Sequence, residues 1–224
     1  KLKKINVLSS SMVFENTNLY PTPEGEELKC PPPSSTYGFQ KLSSEFFARG
    51  AWEQYQLPYT IIRPFNCIGI GEKRAIGDKN IKSGNINLAM SHVVPDLVQK
   101  IMKGQDPLHI LGSGDQVRHY TYGGDLAEGI RICIESEKSI NDDFNISTAT
   151  PTSVLELAKM IWNKINDKEF NYISDKPFTY DVKKRSPDVT KAKKILGYEA
   201  KTNLSTALDE IIPWIREQIK LGGI

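Results

Sequence analysis

The chain has no long apolar run, almost no net charge and few cysteines, and each of these absences argues against a class of protein. No apolar run approaches the ~20 residues of a membrane-spanning helix, and the one after KLKK is shorter than the ~7–15 residues of a signal peptide core. The 29 basic and 27 acidic residues leave a net charge of +2, so no nucleic-acid-binding surface is expected. Cys30, Cys67 and Cys133 are odd in number and widely spaced. A disulfide framework is disfavoured, and we expect a globular protein of the cytoplasm without a membrane or nucleic-acid partner.

Strands and helices alternate along the chain, which predicts an α/β fold. Residues 5–8, INVL, indicate a short buried strand. Residues 34–56 contain no proline and repeat apolar residues at helical steps, which predicts a helix with an apolar face that includes Phe39, Leu42 and Phe46. Ser35 or Thr36 is the expected N-cap. The run PYTIIRPFNCIGIG predicts a second buried strand, and the resulting strand–helix–strand unit favours a parallel sheet.

A Gly-rich phosphate-binding turn is missing from its expected place. In a dinucleotide-binding α/β domain, such a turn joins the first strand to a helix whose N-terminus faces the pyrophosphate. The candidates are GIGEKRAIG, which no clear helix follows, and GSGDQ, which is predicted to lie in a hairpin between the strands LHIL and HYTY. The chain by itself should therefore bind a dinucleotide weakly or not at all.

Asp125 is the expected cap of the helix that is predicted for the segment GGDLAEGIRICIES.

Tyr37 and Lys41 form the pattern Y-x-x-x-K within the predicted helix. The same spacing occurs at Tyr172 and Tyr180, but those segments have no helical pattern. Residues four apart lie on one helix face, where a lysine ammonium favours the phenolate form of a tyrosine. Such a tyrosine can exchange a proton with an alcohol or sugar hydroxyl, and a serine at a neighbouring strand end could share that hydrogen bond. From the spacing alone, an ordinary solvated helix face remains the alternative.

The order of the motifs resembles the extended short-chain dehydrogenase/reductase family, which includes the sugar-nucleotide epimerases and dehydratases. The resemblance covers essentially the whole chain and rests on SSSMVFE, YGFQK, RPFNCIGIG, ILGSGDQVRHYTYGGDLAEGI and RSPDVTKAKKILGYEA. It implies the C-terminal part of a Rossmann-like parallel sheet plus a smaller mixed α/β substrate domain. Residues 1–72 would belong to the dinucleotide-binding domain, and residues 73–224 mainly to the substrate domain, with about 117–150 returning to the sheet. The family also implies NAD, with NADP as the alternative, a nucleotide-diphosphate sugar and a homodimer.

The resemblance assigns roles to individual residues. The catalytic residues would be Ser10, the base Tyr37 and its partner Lys41. Tyr37 and Lys41 would also contact the cofactor, together with Pro64 and Phe65. The expected substrate-binding residues are Ser11, Asn66, Val94, Arg118 and Arg185. An arginine can bond two phosphate oxygens at once, which suits a diphosphate. The three histidines share no ligand spacing, and no metal site is assigned.

Departures from the family pattern favour an epimerase. Related dehydratases and decarboxylases carry acidic residues near the catalytic hydroxyl, where this chain has Ser11 and Met12. Neither side chain can protonate a departing hydroxyl, and Glu15 is expected to face solvent or to cap a loop. We therefore predict a 4-epimerase of a UDP-sugar that lacks the Gly-rich N-terminal half. A dehydratase or reductase of the same family, or a truncated non-catalytic chain that binds sugar nucleotides, are the alternatives.

Overall fold

The computed structural model describes residues 2–72, 82–83, 86–87, 92–177 and 182–222, and their contacts divide the chain into two units. The first, here named the sheet unit, comprises Lys1–Cys67, Val117–Thr152 and Val182–Thr202. The second, named the helical unit, comprises Ile68–Gln116, Ser153–Asp181 and Asn203–Ile224. The sequence-based domain assignment, with its break at residue 72, stays a prediction. Among the described residues, no helix has both the length and the apolar character that a membrane crossing requires.

The strands and helices are short and alternate along the chain. The strands are β1 (Ile5–Leu8), β2 (Tyr59–Pro64), β3 (Cys67–Ile68), β4 (Lys82–Ser83), β5 (Ile86–Asn87), β6 (Leu108–Leu111), β7 (Val117–Arg118), β8 (Thr121–Tyr122), β9 (Asp142–Ile146), β10 (Thr152–Ser153) and β11 (Tyr172–Asp175). The helices are α1 (Thr36–Tyr55), α2 (Val93–Met102), α3 (Gly123–Glu135), α4 (Val154–Ile165) and α5 (Leu204–Lys220). This mixture of parallel strands and helices confirms the predicted α/β class.

The sheet unit is built on a parallel three-stranded sheet in the order β1-β2-β9. The central strand β2 is buried from Thr60 to Arg63, as expected for a strand paired on both sides. Strand β1 lies at the edge of the described sheet, and its Leu8 is 50% exposed. The prediction of a buried strand at residues 5–8 is therefore wrong, because among the described residues β1 has a partner strand on one side only.

Helix α1 confirms the predicted helix and its cap, but it turns a different face inward. Ser35 is the N-cap, and its hydroxyl oxygen accepts from the Gly38 amide at 3.1 Å. The buried positions are Gly38, Leu42, Glu45 and Ala48. Phe39 and Phe46, which belong to the predicted apolar face, are more than half exposed. Several faces of this helix fit a helical period, and the inward one carries Glu45, which is paired with Arg63 on β2.

The helical unit packs helices around apolar side chains. Helix α2 contacts both α4 and α5. The residues at the centre of this packing are fully or almost fully buried, and they include Leu97, Val98, Leu157, Ile161 and Leu208. Helix α4 begins with a capping box, in which Ser153 and Glu156 each bond the other's backbone amide.

Two local predictions are wrong. Strand β6 pairs in parallel with β11 instead of forming a hairpin across GSGD, and the Gly112 amide donates to the Asp175 carbonyl at 2.9 Å. Asp125 does not cap α3, because its Oδ2 accepts from the amides of Lys201 and Thr202 at 3.1 and 2.7 Å. In both cases a distant segment supplies the partner, which local turn and cap preferences do not reveal.

Candidate active site

The turn that follows β1 presents Ser10. The Ser10 side-chain oxygen accepts from the Met12 amide at 3.2 Å and so caps the 3-10 turn Ser11–Phe14. Because the oxygen acts as the acceptor in this bond, the hydroxyl keeps its own proton for a ligand. Ser10 is 8% exposed and Ser11, inside the turn, is 3% exposed. The predicted catalytic hydroxyl therefore lies in a fixed, nearly buried position.

Gly38 brings the first turn of α1 close to the turn after Ser10. A Cβ atom at this position would lie 2.7 Å from the Cβ of Pro33 and 2.8 Å from the Met12 carbonyl oxygen. Any larger residue would push the helix away from the serine turn. No sequence motif indicated a role for Gly38, although a glycine within a helix is a usable signal, since it costs ~1 kcal/mol relative to alanine.

Tyr37 and Lys41 lie one turn apart near the start of α1. The Lys41 ammonium donates to the Leu8 carbonyl oxygen at 2.8 Å, and its nitrogen is 5.8 Å from the centre of the Tyr37 ring. The ammonium keeps two further N–H donors for a ligand. Tyr37 is 50% exposed, so a ligand can reach its hydroxyl. The helix thus places a phenol and a positive charge beside the end of the strand that leads to Ser10.

Glu15 has a structural contact. Its Oε2 accepts from the backbone amide of Ser35, the N-cap of α1, at 2.9 Å. The carboxylate therefore holds the start of the helix that carries Tyr37. This agrees with the expectation that Glu15 caps a loop.

The end of β2 supplies the predicted cofactor segment. Pro64 is the last residue of the strand, and the next residue, Phe65, is 1% exposed. The Phe65 ring stacks on Phe14 at 6.3 Å and belongs to the cluster of buried residues around Leu42. A contact between Phe65 and a cofactor would therefore have to come from its backbone.

Asn66 adopts an unusual backbone conformation and has an unused polar atom. Its φ is 34°, and its carbonyl oxygen accepts from the Thr121 amide at 3.0 Å. Within the described part of the chain, the buried Oδ1 of Asn66 has no hydrogen-bond partner. Because buried polar atoms are nearly always bonded, this atom is a candidate ligand contact.

Arg118 and Arg185 lie near one another around Tyr120. Arg118 is 7% exposed and its Nη1 donates to the Val117 carbonyl oxygen at 2.9 Å, while the Arg185 amide donates to the same oxygen at 3.1 Å. Burial raises the pKa of Tyr120 to about 12, although the charges of the two arginines oppose the shift. The Tyr120 hydroxyl is buried without a hydrogen-bond partner among the described residues. No sequence motif indicated Tyr120, although alternation along an extended segment would place it on the same side as Arg118.

Val94 lies in the helical unit. It is in the first turn of α2 and has no exposed surface. Its assignment to the substrate therefore stays a prediction about the segment, since the side chain itself belongs to the core of that unit. In the described residues, no three His, Cys, Asp or Glu side chains form a group that could hold a metal ion.

Comparisons with known proteins identify the family. Residues 1–147 match the NAD dependent epimerase/dehydratase family. The chain is 27% identical over 208 residues to a putative UDP-glucose 4-epimerase of Methanocaldococcus jannaschii, and the matched region covers 93% of this chain and 61% of that protein. It is 34% identical over 128 residues to UDP-glucuronic acid decarboxylase 2 of Arabidopsis thaliana, with 57% of this chain and 28% of that protein covered.

Solved structures of epimerases are similar over almost the whole chain. The UDP-glucose 4-epimerase of Thermotoga maritima, solved with UDP-glucose, is 31% identical with a TM-score of 0.76 over 97% of this chain and 64% of its own. The UDP-glucuronic acid 4-epimerase of Bacillus cereus, solved with UDP-glucuronic acid and NAD, is 25% identical with a TM-score of 0.79 over 97% of this chain and 62% of its own.

This chain belongs to the NAD dependent epimerase/dehydratase family. The Rossmann-like α/β fold implied by the sequence resemblance is confirmed. The chain spans about three fifths of the length of the epimerases named above, 61% to 64%.

Proposed function

We propose that the protein is an NAD-dependent 4-epimerase of a UDP-sugar. The observation that carries this proposal is the arrangement around the start of α1. Tyr37 and Lys41 lie beside the strand end that leads to Ser10, and the nearest carboxylate in the sequence, Glu15, is occupied by the Ser35 amide. The site therefore offers a proton acceptor and hydrogen-bond donors to a sugar hydroxyl. It offers no acid at Ser11 or Met12 to expel water.

The residues at the site fit the nicotinamide half of a dinucleotide. The two remaining N–H donors of Lys41 suit the two hydroxyls of a ribose, and the backbone at Pro64 and Phe65 lies at a strand end, where such cofactors bind. When bound, NAD would accept a hydride from the sugar carbon and return it to the opposite face. NADP is the alternative that the same residues allow.

The chain's own residues would move the proton and hold the substrate. Tyr37 would take the proton from the sugar hydroxyl and give it back after the ring has turned. Ser10 would hydrogen-bond the same oxygen, first as a hydroxyl and then as the carbonyl of the oxidised sugar. Arg118 and Arg185 would hold the diphosphate, and the unpartnered amide oxygen of Asn66 would orient the substrate. The sugar could then rotate about the anchored diphosphate and present its other face.

Product analysis tests the reaction type. The full-length protein should be incubated with UDP-glucose, UDP-galactose and UDP-glucuronate, with NAD or NADP, and the products followed by chromatography and mass. We expect interconversion of two nucleotide sugars of equal mass, without net consumption of cofactor. A product lighter by one water would show a dehydratase, and a product lighter by carbon dioxide a decarboxylase. Binding of UDP-sugars without any conversion would support the non-catalytic alternative.

We also propose that the full-length protein forms a homodimer through α1. Four aromatic side chains of this helix are exposed by 53% to 78%, namely Phe39, Phe46, Phe47 and Tyr55. Exposed apolar area of this kind commonly marks a protein interface. Light scattering should give a dimer mass, and Phe47→Glu should shift it to a monomer, whereas Leu221→Glu at another exposed apolar position should not. A monomeric wild-type protein would contradict the proposal.

We propose a cytoplasmic location on the basis of the three cysteines, none of which forms a disulfide. Fractionation of cells that express the tagged full-length protein tests it. Recovery in a secreted or membrane fraction would contradict it.

A further inference from the structure

A buried ionic cluster lies within the sheet unit, and the proposed mechanism assigns no role to it. Arg63 on β2 has no exposed surface, and its Nε and Nη2 donate to the two oxygens of Glu45 at 2.8 and 2.7 Å. Its Nη1 donates to Asp143 at 2.6 Å, and its Nη2 is 2.9 Å from Glu27. Glu45 and Glu27 are likewise buried. Burial by itself would lower the pKa of Arg63. The hydrogen bond to Glu45 and the negative charges of the three carboxylates have the larger effect, so the pKa of Arg63 is raised.

The cluster touches each of the segments that carry the candidate catalytic residues. The Ser9 hydroxyl donates to Glu45, and Ser9 directly precedes Ser10. Glu45 lies on α1 one turn after Lys41 and about two turns after Tyr37. Arg63 directly precedes the predicted cofactor residue Pro64. One group of side chains thus joins the serine turn, the tyrosine helix and the end of β2.

Helix α1 holds the end of β1 at two neighbouring points. Lys41 donates to the Leu8 carbonyl at 2.8 Å, and Glu45 accepts from the hydroxyl of Ser9. The Ser9 amide donates to the Ile62 carbonyl at 2.8 Å on the other side of the strand. Ser9 is therefore fixed from both its backbone and its side chain, and it is 2% exposed.

Stability alone is a weak explanation for such a cluster. Burying charged groups away from water costs free energy, and well-packed apolar residues in their place are often equally or more stabilising. The best-supported use of buried ionic groups is to specify a position. We propose that Ser9 and Glu45, with Arg63 behind them, are positioning residues that set the Ser10 hydroxyl against the Tyr37 phenol. This inference rests on the proposed function, because it concerns the geometry of the same site.

A variant of Ser9 tests the proposal without removing a charge. Ser9→Ala deletes the hydroxyl that joins the serine turn to Glu45 and leaves the ionic cluster intact. Small misplacements of catalytic groups have large effects on turnover, so we expect kcat of the full-length protein to fall by about 10-fold or more, with KM changed by less than about twofold. Ser44→Ala removes an exposed hydroxyl of α1, bonded only within the helix to Gln40, and should leave both constants unchanged.

Amide hydrogen exchange of the same full-length variants gives a readout that needs no activity. Ser9→Ala should speed exchange of residues 9–13 by about 10-fold or more and leave helix α4 unchanged, since local opening depends on local contacts. Unchanged kcat in Ser9→Ala, or a fall in kcat with no faster exchange at residues 9–13, would overturn the proposal. If the wild-type protein converts none of the nucleotide sugars, the proposed function fails. The exchange comparison then decides by itself whether the Ser9–Glu45 contact holds the serine turn.

Discussion

The two units bury different kinds of side chain. In the sheet unit, the buried residues include the fully buried Arg63 with Glu27 and Glu45, and also Arg118 and His119. In the described part of the helical unit, Gln99 is the one buried polar side chain, and the rest of the interior is apolar. The candidate catalytic residues Ser10, Tyr37 and Lys41 all belong to the sheet unit.

This difference shows which kind of interaction specifies each unit. Apolar packing is not directional, and helices α2, α4 and α5 need only complementary shapes to form a core. Buried charges are tolerated only in fixed geometry, because each must face its partners. A unit that contains a polar interior therefore has the means to hold catalytic groups at defined positions. Four predictions test this contrast.

The largest expected effect is that of Tyr37→Phe. The variant keeps the aromatic ring at the start of α1 but removes the proton acceptor, so kcat of the full-length protein should fall by about 10²–10⁴-fold. The affinity for the UDP-sugar, measured by calorimetry, should change little. Tyr55→Phe, at the exposed end of the same helix, is the matched control. Near-full activity of Tyr37→Phe would mean that Tyr37 is an ordinary surface residue of the helix and not the catalytic base.

Arg63→Met should be the most destabilising change in the sheet unit. The methionine fills similar space but leaves Glu45 buried without its main cation, while Glu27 keeps its ion pair with Arg49 at 2.6 Å. We expect the uncompensated carboxylate to cost about 3–5 kcal/mol in unfolding free energy. Arg216→Met removes an exposed arginine from α5 and should cost little. Both can be measured by urea denaturation. A loss below ~1 kcal/mol for Arg63→Met would mean that the carboxylates find other partners.

Leu157→Ala tests the apolar core of the helical unit. Leu157 on α4 has no exposed surface, so its truncation should lower the free energy of unfolding by about 2–5 kcal/mol. The folded variant should keep the wild-type kcat, because Leu157 belongs to the helical unit and the candidate catalytic residues belong to the sheet unit. Leu221→Ala, at a 71% exposed position, is the control. A selective loss of kcat would break the separation of roles between the units.

The smallest expected effect is a pH dependence of stability that comes from His119. Burial lowers the pKa of His119, the Thr148 carbonyl opposes the shift, and the charge of Lys184 adds to it. The ring is held neutral, with Nδ1 bonded to the Thr148 carbonyl at 2.9 Å and Nε2 to the Ser186 hydroxyl at 3.1 Å. In the unfolded chain, His119 takes up a proton below its ordinary pKa of ~6.5, whereas the folded state resists it. Stability is therefore full above that pH and is lost as the pH falls below it.

His119→Gln isolates this contribution. Glutamine cannot titrate, so between about pH 7.5 and about pH 5.5 the variant should lose less unfolding free energy than the wild type. In the control His92→Gln, at an exposed position, the unfolding free energy should fall over this pH range by no less than in the wild type, because bonding to Glu72 raises the pKa of His92. Equal pH dependence in the wild type and in His119→Gln would contradict the assignment.

Much of the fold followed from local patterns. Helix α1 with its Ser35 cap and the parallel pairing of β1 and β2 were predicted from periodicity, capping and the strand–helix–strand order. Two of the wrong predictions share one cause, which is pairing between distant segments. Strand β6 pairs with β11, and Asp125 accepts from residues near position 201, and neither partner can be identified from the local sequence.

The sequence by itself determined the α/β class, the order of the motifs and the residue types at the candidate site, because these depend on periodicity and spacing along the chain. Only the tertiary structure decided which face of α1 is buried and that Gly38 is needed for the close approach to the Met12 carbonyl. It alone showed that Ser9, Glu45 and Arg63 form one buried group. The physical reason is that an ion pair or a close backbone contact depends on distance in space, and the separation of two residues along a chain does not fix that distance.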